Sequence, residues 1–156
     1  MFSLDPWSFP KSLRPDPLKL EFDLEQRLDA LLQLHIQVPD HAYTAPILGT
    51  TRSGHGVVID SEGHILTIGY LVTEAQQIWC RKRDGSVVQA DVLAYDQPTG
   101  FGILKSFSKL ECGYIPIGKA NDLRKHDKVY MLGHGGIHQC LKTSIAAVKP
   151  FAGSWE

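Results

Sequence analysis

The first apolar pattern in the chain has a helical spacing. Its members are Leu24, Leu28, Leu31 and Leu32. Residues three and four apart lie on one face of a helix, so this spacing predicts an amphipathic helix of about three turns. Asp23 can cap its first turn, with Gln26 three residues later. Since proline cannot continue a helix, we expect this helix to occupy residues 21–37 and to end before Pro39.

From about residue 38 onward, short apolar runs are separated by glycine and proline, which is typical of a β-sandwich or a β-barrel. Residues 57–59 and 65–68 flank a turn that ends at Gly63. Residues 77–82 and 87–95 flank Asp84 and Gly85, and residues 101–107 supply a further strand. Glycine tolerates the positive φ that tight hairpins need. We therefore predict one compact β-barrel over residues 38–110.

Residues 111–156 contain a loose stretch followed by two more predicted strands, at 128–132 and 140–148. The segment between them is rich in glycine and includes Gly133 and His134. A pair of strands is marginally stable alone and leaves unpaired edges, so it needs more polypeptide or a partner. We expect a linker and the first strands of an incomplete second barrel, as in a fragment or one half of a two-barrel protein.

Residues 1–20 carry four prolines with aromatic side chains between them. The prolines are Pro6, Pro10, Pro15 and Pro17, and the aromatic residues are Phe2, Trp7 and Phe9. Closely spaced prolines exclude a regular element. The segment is therefore either disordered or an extended arm, and its aromatic residues favour an arm that docks on the rest of the protein.

The composition excludes several classes of protein. The chain is 43% hydrophobic and 21% charged, and it lacks the run of about 20 apolar residues that a membrane-spanning helix needs. Its formal net charge is -1, so no excess of basic side chains indicates nucleic acid or a membrane as a partner. No signal peptide is evident, which predicts a cytoplasmic protein. The three cysteines have no regular spacing, which favours reduced thiols.

Two motifs in the barrel region have a recognisable order. Ser53-Gly54-His55-Gly56 precedes a strand that ends in Asp60, and ILTIGYLV follows at residues 65–72. Asp96, Thr99 and Gly100 then lead into the strand FGILK. Residues 50–148 thereby resemble the trypsin-like serine proteases of the HtrA or DegP type, in which the corresponding motifs read ILTNxHVV and DxxTDLAVLK. The resemblance implies an all-β fold, a chymotrypsin- or trypsin-like barrel with a short N-terminal helix and an incomplete second barrel.

The same resemblance implies endoproteolysis, but the positions of the catalytic triad differ. Tyr70 falls on the catalytic histidine and Gly100 on the aspartate. The family's nucleophilic serine lies in a GNSGG loop, and that motif does not occur in these 156 residues. Tyr70 and Gly100 are therefore predicted to be degenerate triad positions, with no intact catalytic residue. Tyr70 is interpreted as an aromatic side chain that fills a disused cleft, or else as one that contacts a peptide.

A phenol is a poor acceptor of a serine hydroxyl's proton at neutral pH, and glycine has no side chain. We therefore expect a catalytically inactive homologue, a pseudoprotease, that binds a peptide or a protein segment and has no cofactor. One alternative is an active serine endopeptidase with unconventional or partner-supplied catalytic residues. Another is self-association through the N-terminal arm and helix. Nucleic acid and membranes are not expected as partners.

Four histidines and a cysteine receive no functional role. His134, His138 and Cys140 are metal-ligand types, but the glycines near them indicate a turn and no fourth ligand is evident, so no metal site is predicted. His55 and His64 lie across the first predicted hairpin without a predicted carboxylate partner.

Overall fold

The computed structural model describes residues 7–149, in which eight strands and three short α-helices occur. Six strands form a closed antiparallel barrel in the order β1-β2-β3-β6-β5-β4. They are β1 (Leu31–Gln37), β2 (Thr51–Val58), β3 (His64–Ile68), β4 (Gln77–Arg81), β5 (Val87–Asp96) and β6 (Phe101–Ser106). The helices are α1 (Leu24–Asp29), α2 (Ala45–Leu48) and α3 (Gly69–Val72). The predicted all-β barrel is confirmed.

The predicted helix at 21–37 is wrong in its second half. It begins as expected, because Asp23 Oδ1 accepts a hydrogen bond from the backbone N of Gln26 at 3.2 Å. It ends at Asp29, however, and β1 starts at Leu31. From residue 32 the chain alternates strictly between apolar and polar positions, and the three apolar ones, Leu32, Leu34 and Ile36, are completely buried inside the barrel. The barrel therefore begins at residue 31 rather than 38.

The two predicted hairpins are confirmed, as is the strand that follows them. β2 and β3 join through the turn that contains Gly63, and β4 and β5 through the turn that contains Gly85. The inward side chains of β1 meet those of the other strands in one core, to which Ile65, Cys80 and Leu104 contribute completely buried side chains. Burial raises the pKa of the Cys80 thiol to about 12, which keeps it protonated at neutral pH.

A separate two-stranded sheet follows the barrel. It pairs β7 (Lys128–Met131) with β8 (Leu141–Ser144), so the second strand is shorter than the predicted 140–148. A 3₁₀ turn, Gly136–Gln139, connects the two strands. A small apolar cluster of Leu24, Leu28, Leu31 and Cys140 links this sheet to α1 and to the start of β1.

The N-terminal arm docks on the turn between β7 and β8. The backbone N of Phe9 donates to the carbonyl of His138 at 2.9 Å, and Gln139 Nε2 donates to the carbonyl of Trp7 at 3.4 Å. Arg14 Nε also donates to the carbonyl of Phe9 at 2.7 Å. Two short 3₁₀ turns, Lys11–Leu13 and Pro17–Lys19, shape the arm. Residues 1–6 of the predicted arm and residues 150–156 lie outside the described part.

Candidate functional site

Tyr70 and Gly100 lie next to each other at one end of the barrel. β3 and β6 pair along their length, with Ile68 opposite Phe101. Just beyond this pair, the backbone N of Gly69 donates to the carbonyl of Gly100 at 2.7 Å. The structure thus brings together the two positions that the resemblance assigns to a catalytic histidine and aspartate.

The single turn of α3 directs the Tyr70 side chain toward solvent. Its neighbours Leu71 and Val72 are buried in the barrel core. Gly69 is also buried, and a Cβ atom there would lie 1.9 Å from Cε2 of Tyr95. The remaining side chain of the turn, Tyr70, is 49% exposed. Among residues 7–149, the Tyr70 side chain therefore fills no closed cleft.

Gly100 sits in a turn that is closed by its own hydrogen bonds. Its φ of 72° is in the left-handed region that favours glycine. Its backbone N donates to the carbonyl of Asp96 at 2.8 Å. The Asp96 carboxylate accepts hydrogen bonds from the backbone N of Thr99 at 3.2 Å and from the Thr99 hydroxyl. The carboxylate of this turn is therefore used to hold the turn itself.

A buried arginine fixes the position of α3. Arg52 is 5% exposed, and its Nη1 donates to the carbonyls of Tyr70 at 2.8 Å and Thr73 at 2.9 Å. Its Nη2 donates to Thr44 Oγ1 at 2.7 Å, and its Nε to the carbonyl of Gly49 at 3.2 Å. One guanidinium thus ties α3 to the loop that carries α2.

Glu74 holds the same loop from the other side. Its carboxylate accepts hydrogen bonds from the backbone N of Tyr43 at 2.9 Å, the backbone N of Thr44 at 2.7 Å and the Thr44 hydroxyl at 2.6 Å. These bonds, those from Thr44 first, lower the pKa of Glu74. Glu74 has a φ of 59°, which is uncommon for a residue with a side chain.

The clamped segments carry large exposed side chains. Tyr43 is 89% exposed and Ile47 is 83% exposed, and both belong to the loop that Arg52 and Glu74 hold against α3. Together with Tyr70 they form what we call the Tyr70 surface. The sequence motifs did not predict that Arg52 and Glu74 hold this loop. One signal was available, since Arg52 shares the alternation of β2 with the buried Val58, and a charged residue at an inward position indicates a bonded role.

One histidine in the described part of the chain pairs with a carboxylate, but this pair lies far from Tyr70. The expectation that His64 has no carboxylate partner is wrong, because its Nδ1 is 2.6 Å from Asp60 Oδ2. His64 begins β3, whereas Tyr70 follows the end of that strand. Five residues of β-strand span about 16 Å, so this pair is at the opposite end of the barrel.

The other singled-out histidines and Cys140 have separate surroundings. His138 Nδ1 is 2.9 Å from Arg14 Nη1, and Cys140 Sγ donates to the carbonyl of Gly136 at 3.2 Å. His134 hydrogen-bonds the backbone of Arg81 on β4. Within residues 7–149, no three histidine, cysteine or acidic side chains are grouped as a metal site would require. No helix in the same range is long and apolar enough to cross a membrane.

His134 follows β7 of the second sheet and lies near Arg81 of β4, where burial disfavours its charged form. Its Nε2 atom is buried without a hydrogen-bond partner among the described residues. Burial lowers the pKa of His134, and the nearby His55, Arg81 and Arg83 lower it further, against the opposing effect of the Arg81 backbone bond. The folded protein therefore binds a proton here less readily than the unfolded chain does.

We expect the free energy of unfolding to fall on acidification. An unfolded histidine takes up its proton near pH 6.5, whereas His134 resists until a lower pH, so stability is lost as pH falls through about 6.5. Urea unfolding at about pH 7.5 and about pH 5.5 measures the loss. His134→Gln, which cannot titrate, should reduce this pH dependence. An identical pH dependence in that variant would assign the effect to other groups.

The chain resembles known proteins over most of its length. The sequence profile of the trypsin-like peptidase domain matches residues 54–154. Protease Do-like 1 of Arabidopsis thaliana, a chloroplastic protein, is 27% identical over 142 residues, which cover 88% of this chain and 32% of the relative. A probable periplasmic DegP-like serine endoprotease of Pseudomonas putida is 35% identical over 72 residues, covering 46% of this chain and 14% of the relative.

Solved structures show the same fold. The HtrA-type protease AlgW with a tripeptide matches with a TM-score of 0.62 and 21% identity, over 80% of this chain and 38% of that chain. The present chain spans about a third of the length of the chloroplastic relative. Because the matched profile covers more than half of the 156 residues, the chain belongs to the trypsin-like peptidase domain family.

Proposed function

We propose that this protein is a catalytically inactive homologue of the HtrA-type serine proteases that binds a peptide or a protein segment. The observation that carries the proposal is the pair of neighbouring positions at the ends of β3 and β6. There the chain has Tyr70 and Gly100 where the family has its proton acceptor and the carboxylate that orients it.

The chemistry of this end of the barrel supports the absence of proteolysis. A serine hydroxyl becomes a nucleophile when an adjacent base takes its proton, and the base must itself be oriented. Tyr70 supplies a phenol, Gly100 supplies only backbone, and the Asp96 carboxylate is bonded to Thr99. Removing the histidine of such a triad costs about a millionfold in turnover. The family resemblance therefore supports the fold but not the family's proteolytic reaction.

The Tyr70 surface supports a binding role. Aromatic and aliphatic side chains that are exposed yet held by a rigid framework bind partners with little loss of conformational entropy. Tyr43 and Tyr70 meet this description, because Glu74 and Arg52 fix the backbone beside each of them. The relatives are named as proteases, which act on polypeptide chains, and this favours a polypeptide as the ligand.

We expect the purified protein to bind unfolded casein without cleaving it. Fluorescence anisotropy of labelled casein measures binding, and electrophoresis after prolonged incubation measures cleavage. Tyr70→Ala should weaken binding by about tenfold, as is typical of removing an aromatic side chain from the centre of an interface.

Phe107→Ala provides the matched control, since Phe107 is an exposed aromatic residue outside the Tyr70 surface. Its casein affinity should equal that of the unchanged protein. Cleavage that a serine-directed inhibitor blocks would contradict the proposal, and its loss in Tyr70→Phe would identify Tyr70 as an unconventional base. Equal loss of binding in both alanine variants would place the binding elsewhere.

A further inference from the structure

A strongly basic cleft lies between the N-terminal arm and one face of the second sheet. Its volume is about 1030 Å³. The 3₁₀ turn Lys11–Leu13 of the arm lies against β8 beside it. The cleft is lined by five basic side chains: Lys11, Arg14 and Lys19 from the arm, Lys128 from β7 and Lys142 from β8. No residue of the Tyr70 surface belongs to this lining.

Most of the positive charge in the cleft is not neutralised by the described part of the protein. Asp16 is the acidic residue of the lining, and it pairs with Lys19 at 3.5 Å. Within residues 7–149 the other four basic side chains form no ion pair with a carboxylate. Arg14 bonds the carbonyl of Phe9 and lies 2.9 Å from His138 Nδ1, and neither partner is an anion. Four positive charges therefore remain for a ligand.

The sheet presents two of these charges side by side. Lys128 lies opposite Ser144, and Tyr130 lies opposite Lys142, so these four residues share one face of the sheet. Lys128 and Lys142 are thus diagonal neighbours, whose Cα atoms lie about 7–8 Å apart in an antiparallel pair. Like charges at this separation repel each other. An anion placed between the two ammonium groups would offset that repulsion.

Docking of the arm adds further positive charge to the same face. The whole chain has a formal net charge of -1, so the concentration of charge arises from the fold and not from the composition. The backbone bond from Phe9 to His138 carries the basic side chains of the arm to the sheet. The docked arm therefore meets charges of its own sign across the cleft. A ligand that binds only the docked form stabilises it by mass action, and an anion that bridges arm and sheet would do so.

The chemistry of the lining suits phosphate groups. Lysine binds phosphate as a compact point charge, and arginine binds it with a planar set of donors. Hydroxyl groups that can donate to phosphate oxygens also line the cleft, from Ser12, Tyr130, Thr143 and Ser144. Pockets of about 300–1,000 Å³ hold drug-sized ligands, so this cleft has room for several phosphate groups.

The same lining does not favour a single-stranded nucleic acid. Such strands bind by stacking their bases on aromatic side chains. The aromatic residue of the lining, Tyr130, is partly buried and already packs on Phe22 at a ring-centroid distance of 5.5 Å. A compact anion without a planar base needs no such ring.

We propose that this basic cleft binds a soluble, compact anion that carries several phosphate groups, held between Lys11 of the arm and Lys128 and Lys142 of the sheet. Because three of the five basic residues come from the arm, the bound anion also holds the arm against the sheet. The proposal concerns a surface other than the Tyr70 surface, and it does not depend on whether the protein cleaves peptides.

The test is isothermal titration calorimetry of the full chain with sodium tripolyphosphate, at a physiological ionic strength of about 0.15 M. We expect saturable binding of one anion that weakens as sodium chloride is added. Orthophosphate should bind at least about tenfold more weakly, because it carries a single phosphate group and cannot reach both sides of the cleft. Tyr70→Ala should leave the affinity for tripolyphosphate unchanged, so a failure of the proposed casein binding and a failure of the cleft are distinguishable.

A pair of substitutions locates the site. Lys128→Gln combined with Lys142→Gln should weaken tripolyphosphate binding by at least about tenfold. Lys109→Gln combined with Lys119→Gln is the matched control, because it changes the net charge equally at lysines outside the cleft, and it should leave the affinity unchanged. All four lysines are exposed, so both variants should fold, and urea unfolding verifies this.

Hydrogen exchange tests the effect on the arm. Amide exchange in residues 7–20 should slow at least about threefold when tripolyphosphate is bound, since an undocked arm exchanges freely. Sodium chloride at the same ionic strength is the control and should not slow it as much. Unchanged exchange in the arm at saturating tripolyphosphate would contradict the bridging of arm and sheet.

Further outcomes would overturn the proposal. They are no binding of tripolyphosphate, equal weakening in both lysine variants, orthophosphate binding as tightly as tripolyphosphate, and tighter binding of oligothymidine or of a glutamate-rich peptide. Vesicles of phosphatidylcholine with about 5% of a lipid that has a multiply phosphorylated headgroup distinguish a lipid from a soluble ligand. Sedimentation with these vesicles, without binding of free tripolyphosphate, would assign the cleft to a membrane surface and contradict the soluble ligand.

Discussion

Leu34→Ala is expected to lower the free energy of unfolding by about 2–5 kcal/mol, the usual cost of removing a large side chain from a well-packed core. Leu34 is completely buried at the centre of β1. Its methyl groups face Gly56 and leave no free space there, because a Cβ atom on Gly56 would lie 3.3 Å from both of them. Urea unfolding followed by circular dichroism measures the loss.

The neighbouring substitution His35→Ala is the control, and it also tests the change from helix to strand. His35 points out of the barrel, beside Trp79 at a ring-centroid distance of 5.7 Å. Cross-strand pairs of this kind contribute at most about 1 kcal/mol, so the control should cost little. A helix continuing the spacing of Leu28 and Leu31 would put residue 35 on the buried face. A larger loss for His35→Ala than for Leu34→Ala would contradict the strand.

Arg52→Met is expected to lower the free energy of unfolding by about 3 kcal/mol, because it leaves buried carbonyls without their donor. Methionine keeps much of the length of the side chain but donates no hydrogen bond. The carbonyls of Tyr70 and Thr73 would lose their partner, and so would Thr44 Oγ1. Urea unfolding measures stability. Hydrogen exchange should show faster exchange in α3, which the guanidinium holds in place.

Arg83→Met is the matched control for this substitution. Arg83 forms an exposed ion pair with Glu25 at 2.6 Å, and exposed pairs contribute at most about 1 kcal/mol. Arg52→Lys keeps the charge but not the planar set of donors, so it should fall between the unchanged protein and Arg52→Met. If Arg52→Met were no less stable than Arg83→Met, the clamp would not hold the loop.

The parts of the fold that the sequence predicted are those with local causes. Gly63 and Gly85 each close a turn between neighbouring strands, so the hairpins are encoded within a few residues. No tight turn joins β1 to β2, since residues 38–50 lie between them, and β1 pairs with both β2 and β4. The leucines before it have a helical spacing, which concealed the alternation that begins at Leu32. Pairing with distant strands decides this segment, and local propensity does not.

The candidate site could likewise be predicted from the sequence only in part. The family resemblance assigned Tyr70 and Gly100 to two positions of one catalytic triad, and the pairing of β3 with β6 brings them together. The resemblance did not predict the hydrogen bonds of Arg52, whose partners lie up to 21 positions away along the chain. The contact of the N-terminal arm with the turn before β8 joins residues from both ends of the described chain, and no window of sequence contains them together. Contacts of this kind arise only from the folded backbone.

The contact between Phe9 and His138 implies that the barrel and the β7–β8 sheet form at different times during synthesis. During translation the arm leaves the ribosome long before residue 138 exists, so its partner is missing while the barrel is being made. All six barrel strands are complete at Ser106. Because segments generally fold as they emerge, the barrel can close first, and the arm, β7 and β8 assemble onto it in a late step. A ribosome stalled just far enough beyond residue 106 for β6 to leave the exit tunnel should therefore carry a folded barrel with an undocked arm.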